Sequence, residues 1–313
     1  MMIDIAQIAG GLVILLLAGD LLVRGAVNLA LRLGVPALMV GMTVVAFGTS
    51  APELLVSVQA VLTGAGGLAL GNVVGSNIAN ILLVMGLPAL IAPVLVGRES
   101  LRDYAIMIAV TFLFIGLAFT GVIALWQALV LLAAFALFMA ESIWRGKRAQ
   151  IAPDELEGAD PALSGRRLAL YLVLGLIGLP LGASLLVAGA VDIAEALGVS
   201  DLMIGLTIVA VGTSLPELAT TLMAAIRREG GVALGNILGS NIFNLLFILG
   251  VAGMVGPMAV PEAMLRLDLW VMLGAALVLA PFLWSGRAIG RVAGALLLSG
   301  YGGYIWLLVQ YGG

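Results

Sequence analysis

Apolar residues run along this chain in blocks, and the polar residues inside those blocks recur at helical spacing. A helix that crosses a bilayer needs roughly 20 consecutive apolar residues. Ten blocks meet that length, near 8–30, 37–62, 68–92, 103–121, 123–144, 167–196, 202–226, 232–256, 267–284 and 290–310. One hydrophilic break, "RGKRAQIAPDELEGADPALSGRR" at 145–167, separates the fifth block from the sixth and is too short and polar to be a domain. The first block lacks the short basic-then-apolar pattern and small-residue cleavage site of a removed leader, so it reads as a helix that stays. The pattern predicts an all-α polytopic membrane protein with ten transmembrane helices.

The two halves match. Residues 41–87 align with 205–251 at a constant shift of 164, without a gap, and about half the positions are identical. The match reaches back to "LLVRGAV" at 21–27 and "LLVAGAV" at 185–191. With five spans in each half, the second enters the membrane upside down relative to the first. The expected organisation is a first repeat over 1–144, a cytoplasmic connector at 145–166 and a second repeat over 167–313. The most similar segments lie at about 40–87 and 204–251. Inverted repeats are a transporter architecture with the site near the midplane.

Composition sharpens this picture. Of 313 residues, 63% are hydrophobic and 10% charged, with a mean hydropathy of +1.22. There is no cysteine or histidine, which removes disulfides, thiolate metal sites and Cys or His catalysis. A net charge of −3 does not suggest nucleic acid. Placing the N-terminus outside puts Arg32, Arg98, Arg102, Arg145, Lys147, Arg148, Arg166, Arg167, Arg227, Arg228, Arg287 and Arg291 on the cytoplasmic side. Arg24 then lies near the inner end of the first span, and only Arg266 falls outside. The expectation is a multi-pass protein of the cell membrane, with both termini outside.

Two carboxylates contradict their apolar surroundings: Glu53 in "AFGTSAPEL" and Glu217 in "AVGTSLPEL". An ionised carboxylate at mid-membrane costs several kcal/mol unless compensated, so it marks a functional site by default. Ala46, Thr49, Ser50 and Glu53 share one helix face, as do Ala210, Thr213, Ser214 and Glu217. Pro52 and Pro216 predict kinks that turn nearby carbonyls, Ala46 among them, toward a ligand. "GNVVGSNIAN" aligns Asn72, Ser76 and Asn80, and "GNILGSNIFN" aligns Asn236, Ser240 and Asn244. Gly71 and Gly75 form a small-xxx-small pair suited to close backbone approach. Asn77 and Asn241, offset from those faces, suit ties between helices. Asp20 is expected to pair with Arg24, four residues on. With no Lys or Arg inside the motif helices, the missing counter-charge is a bound cation or protons. Oxygen-only ligands suit Ca²⁺ and Na⁺ rather than Zn²⁺ or Cu⁺. A charge of −2 is balanced by one Ca²⁺ or by two or more monovalent ions, the physical basis of antiport.

These paired motifs resemble the two α-repeats of the sodium/calcium exchanger family, within the calcium/cation antiporter superfamily, over nearly the whole chain. The resemblance implies a minimal prokaryotic exchanger: ten helices, alternating access, about three Na⁺ exchanged for one Ca²⁺, no enzymatic activity and no cofactor. It implies Glu53 and Glu217 as central ligands shared by both ions. It implies Thr49 and Thr213, through backbone oxygens, as completing the Ca²⁺ shell. Ala46 and Ala210 carbonyls, with Ser50, Ser76, Ser214 and Ser240, would form flanking Na⁺ sites, and Asn80 and Asn244 the middle. Potassium-dependent members and some microbial exchangers carry aspartate at the position of Asn244, so the resemblance implies K⁺-independence. The large regulatory loop of animal exchangers is absent. The partners expected are Ca²⁺, Na⁺ and the lipid bilayer, with the chain acting as a monomer.

Three rival readings remain. A Ca²⁺/H⁺ antiporter of the same superfamily would usually show a "GNAxE"-like motif. A channel would carry one filter sequence in an oligomer. An intramembrane enzyme would be left with a Ser–Lys scheme, and the sole lysine, Lys147, is in the connector.

Overall fold

The computed structural model describes residues 2–149, 160, 162–197 and 210–311. Residues 150–159 and 161 of the connector and residues 202–209 of the predicted seventh span lie outside the described residues. In chain order the helices are α1 (Met2–Leu33), α2 (Ala37–Thr49), α3 (Ala51–Leu62), α4 (Gly66–Ile91), α5 (Arg98–Ala118) and α6 (Leu125–Ala149). They continue with α7 (Gly165–Ala196), α8 (Ala210–Thr213), α9 (Leu215–Ile226), α10 (Gly230–Val255), α11 (Met264–Ser285) and α12 (Arg291–Tyr311). Among the described residues, 7 of these helices are long and apolar enough to cross a membrane; the α2–α3 pair, bent by 46°, makes an eighth.

The bend has a local cause. Proline cannot donate the helical hydrogen bond to the carbonyl four residues back, yet it suits the first turn of a helix. The chain therefore stops at Thr49, passes Ser50 at φ −84° and ψ 7°, and restarts with Pro52 and Glu53 in the new first turn. Ser214 repeats the step at φ −89° and ψ 3° ahead of Pro216 and Glu217. The predicted kink is a full restart, and each glutamate lies at the positive end of a helix dipole.

The same backbone is kept where the sequence changes. Gly64 ends the turn after α3 at φ +80°, and Arg228, 164 residues on, takes φ +62° after α9. Ala65 N–H then bonds the Ala60 carbonyl and Glu229 N–H the Ala224 carbonyl, both at 2.8 Å. An arginine in this left-handed conformation costs about 1 kcal/mol that glycine avoids.

The core is polar at its centre and the surface apolar. Leu55, Leu137 and Trp284 are more than two-thirds exposed, whereas Thr49, Glu217, Asn236 and Ser240 have no exposure. That inversion suits a protein whose solvent is lipid. α10 packs along α2, α4 along α3, and α9 along α10, while α1 and α7 lie together against one side. The α2–α10 contact is made through backbone: a Cβ on Gly235 would sit 2.4 Å from the Leu38 carbonyl. For Gly71 and Gly75 the expected close approach is not found among the described residues, where an added Cβ meets nothing within 4 Å. Residues 202–206, which the repeat relates to Leu38–Met42, lie outside the described residues.

The all-helical expectation also needs a small addition. β1 (Val122–Ile123) pairs antiparallel with β2 (Met258–Ala259), and an isolated bridge joins Val94 to Ile289. Positions 94 and 258 are again 164 apart, so each repeat sends an extended segment to the other. Asp20 pairs with Arg24 at 3.0 Å as expected, and also with Arg227, which ties α1 to the end of α9. Asp103 is held by Arg145 between α5 and α6. In the second half Asp268 accepts from Tyr304 at 3.1 Å between α11 and α12.

Candidate functional site

The break between α2 and α3 delivers Ser50 to the opposite half of the molecule. Its hydroxyl donates to Glu217 Oε1 at 3.1 Å. One residue earlier, Thr49 donates to Asn236 Oδ1 at 3.2 Å. Asn236 is fixed from its other end, where Nδ2 donates to the Glu217 backbone carbonyl at 3.3 Å and to Thr221 at 3.1 Å. Asn72 does the same in the first half, reaching the Glu53 carbonyl at 3.3 Å and Ser57 at 3.0 Å. The sequence placed Asn72 and Asn236 on the faces of the site. The structure uses them as braces that hold the glutamate-bearing helices α3 and α9 to α4 and α10.

The break leaves the Ala46 carbonyl with a helical partner, the Ser50 N–H at 3.0 Å, and a carbonyl oxygen has a second lone pair for a ligand. In the second half the Ser214 N–H reaches the Val211 carbonyl at 3.1 Å. The carbonyls that proline must leave without a helical partner are those of Gly48 and Gly212, four residues before Pro52 and Pro216.

Both glutamates are buried, Glu53 at 1% and Glu217 at 0% exposure, and no Lys or Arg among the described residues pairs with either. Around them, polar atoms are buried without a hydrogen-bond partner in the protein: Glu53 Oε2, Glu217 Oε2, Ser214 Oγ, Ser240 Oγ, Asn244 Oδ1 and both amide atoms of Asn80. Buried polar groups are ordinarily satisfied. Here they gather in residues that the motifs singled out. Ser76 is buried as well, on the same helix as Asn80. α9, which carries Glu217, packs on the Asn80 turn of α4, and α8, which carries Ala210 and Thr213, packs on the part of α4 before that turn. Ser50, Glu53, Ser76, Asn80, Ser214, Glu217, Ser240 and Asn244 are thus all buried, and they offer mainly oxygen, the ligand type that hard cations take.

Two features were invisible in the sequence. Asn80 and Phe243 each open a wide turn, at Asn80–Val84 and Phe243–Ile248, where one extra residue is fitted. The Met85 N–H reaches back five residues to the Asn80 carbonyl at 3.1 Å. Such π-turns concentrate at functional sites. Periodicity at 3.6 residues cannot show them. The second feature is a cluster of Phe47, Phe135, Phe243 and Phe247, with Phe135 and Phe243 ring centroids 4.9 Å apart, packed beside the Asn244 turn.

The family profile described as "Sodium/calcium exchanger protein" matches residues 3–144 and 167–310. The chain belongs to the sodium/calcium exchanger family. The two matched blocks leave out only the connector and the extreme ends. Among curated relatives, the putative antiporter CaxA of Alkalimonas amylolytica is 42% identical, across 95% of this chain and 96% of its own. The sodium/calcium exchanger MaX1 of Methanosarcina acetivorans is 35% identical, across 95% and 96%. The inner membrane protein YrbG of Escherichia coli K12 is 34% identical, across 99% and 98%. A solved structure of the sodium-calcium exchanger NCX_Mj, soaked with Na⁺ and Sr²⁺, superposes with a TM-score of 0.85 at 32% identity, covering 99% of both chains. The family expected from the GTSxPE and GNxxGSN motifs is the family found, in its minimal prokaryotic form.

Proposed function

We propose that this chain is a secondary active antiporter that exchanges Na⁺ for Ca²⁺ across the cell membrane by alternating access. The observation that carries the reading is the pair of buried glutamates, one from each half, with no basic partner among the described residues. A cation is the counter-charge that such a pair requires. Glu53 and Glu217 bind either ion. Backbone oxygens of Thr49 and Thr213 complete the Ca²⁺ shell. Ala46, Ala210, Ser50, Ser76, Ser214 and Ser240 serve Na⁺ on the flanks, and Asn80 and Asn244 fill the middle. Family membership and the named activities of MaX1 and NCX_Mj support this assignment.

Ten spans arranged as two inverted five-helix repeats, 1–144 and 167–313, with 145–166 as cytoplasmic connector and both termini outside, fit the same reading. The recurring bends and braces at a shift of 164 support it. The chain works as a monomer, because both halves of the site come from one polypeptide. It is a transporter and not an enzyme, and Na⁺ and Ca²⁺ are its cargo rather than cofactors.

The stoichiometry of about three Na⁺ to one Ca²⁺ has an electrical consequence. A site of charge −2 is neutral with Ca²⁺ and carries +1 with three Na⁺. A negative-inside potential then assists Na⁺ entry by about 2.3 kcal/mol per elementary charge per 100 mV. Ca²⁺ flux from reconstituted protein, at fixed ion gradients and two clamped potentials, is expected to rise with the inward-negative potential. Flux that ignores the potential contradicts three-to-one exchange. Because position 244 is asparagine, the same flux is expected at full rate in K⁺-free solution; a strict K⁺ requirement contradicts the assignment.

A further inference from the structure

We propose that Asn77 is a positioning residue that turns the Asn244 amide so that its oxygen, and not its nitrogen, faces the transported cation. The inference rests on the cation-site reading above and adds a residue outside the ligand set. Asn77 follows Ser76 on α4, is 1% exposed, and reaches α10 and α11.

The argument runs through donors and acceptors. The Asn241 backbone carbonyl can only accept, and Asn77 Nδ2 donates to it at 3.3 Å, with the Met272 sulfur a further acceptor at 3.9 Å. This fixes which end of the Asn77 amide is nitrogen. Its Oδ1 therefore lies at the other end, where it accepts from Asn244 Nδ2 at 3.0 Å. The Asn244 nitrogen is thereby committed, and its oxygen remains buried with no protein hydrogen-bond partner. A backbone carbonyl of α10 thus dictates, through one intervening amide, the polarity that Asn244 presents. An amide oxygen attracts a cation and an amide N–H₂ repels it, so the polarity decides whether Asn244 is a ligand.

Asn80 lacks this arrangement, which shows that it is not a general feature of the motif. Asn241 is the counterpart of Asn77, but its Nδ2 donates within its own helix, to Ile237 at 2.8 Å. Asn80, the counterpart of Asn244, accordingly has neither amide atom partnered.

The test is a double-mutant cycle on the purified full chain, with calorimetric Ca²⁺ affinity as the readout. Asn77→Leu or Asn77→Ala in the wild-type background is expected to weaken Ca²⁺ binding about tenfold, the scale of one buried hydrogen bond with its partner left unsatisfied. In the Asn244→Asp background both side-chain ends are oxygen, no orientation is needed, and the same substitution is expected to change affinity less than about twofold. Equal losses in the two backgrounds would show that Asn77 only ties helices together, and no loss in wild type would remove its role; either overturns the proposal. Because binding is measured without transport, wild type that binds Ca²⁺ but shows no Na⁺-driven flux would count against the antiport reading alone. Wild type that binds no Ca²⁺ would overturn both.

Discussion

Glu53→Gln is expected to abolish Ca²⁺ transport, to below about one hundredth of wild type, while leaving the fold intact. The substitution keeps shape and removes one of two negative charges. Unit charges about 4 Å apart interact by about 4 kcal/mol at an effective dielectric of about 20. Since about 1.4 kcal/mol is a factor of ten, losing such an interaction with even a monovalent ion is worth nearly three decades of affinity, and a divalent ion loses more. Glu217→Gln is expected to behave alike. Its amide oxygen can still accept from Ser50, so the link between the halves survives. Removing a buried charge also relieves desolvation, so cation-free protein is expected to unfold no earlier than wild type. Either variant retaining near wild-type flux would show that the pair is not the ion site.

Gly239→Val is expected to cost more than about 3 kcal/mol and to destroy Ca²⁺ binding with it. A Cβ on Gly239 would lie 2.5 Å from the Met42 carbonyl oxygen and 2.6 Å from the Met42 Cα. Those are backbone atoms of α2 and cannot swing aside, so α10 must move bodily. Asn236 sits one turn earlier on α10 and holds both Thr49 and the Glu217 carbonyl, and the same movement breaks both bonds. Gly116→Ala is the control: nothing lies within 4 Å of its added Cβ among the described residues, and alanine favours the helix. Thermal unfolding of the two variants in detergent is the measurement. A Gly239→Val midpoint equal to wild type would mean that the α2–α10 contact does not set the site.

The motifs made much of this legible in advance. Outside the seventh block, much of which lies beyond the described residues, the helices lie within about six residues of their apolar blocks, because lipid forces continuous runs that need no knowledge of neighbours. Glu53 and Glu217 stood out because a carboxylate inside such a run has few bland explanations. Proline fixed the position of each break, although not that the helix would restart with the glutamate in its first turn. What stayed hidden depends on long-range partners. The string "GNILG" does not show that Gly235 and Gly239 press on the backbone of α2. Arg227 reads as a cytoplasmic charge; only folding sets it against Asp20, 207 residues earlier. Asn77 was legible as an offset asparagine, whereas the direction of its amide is decided by a carbonyl on another helix.

The most direct test of the account is Na⁺-dependent Ca²⁺ movement by the purified chain. Liposomes carrying the protein are loaded with Na⁺, diluted into Na⁺-free medium containing ⁴⁵Ca²⁺, and compared with liposomes loaded with choline and with liposomes given only a pH gradient. The account predicts rapid Ca²⁺ accumulation with internal Na⁺, and background uptake with choline or with the proton gradient. Uptake driven by the proton gradient and indifferent to Na⁺, or equal uptake with choline, would contradict Na⁺/Ca²⁺ exchange.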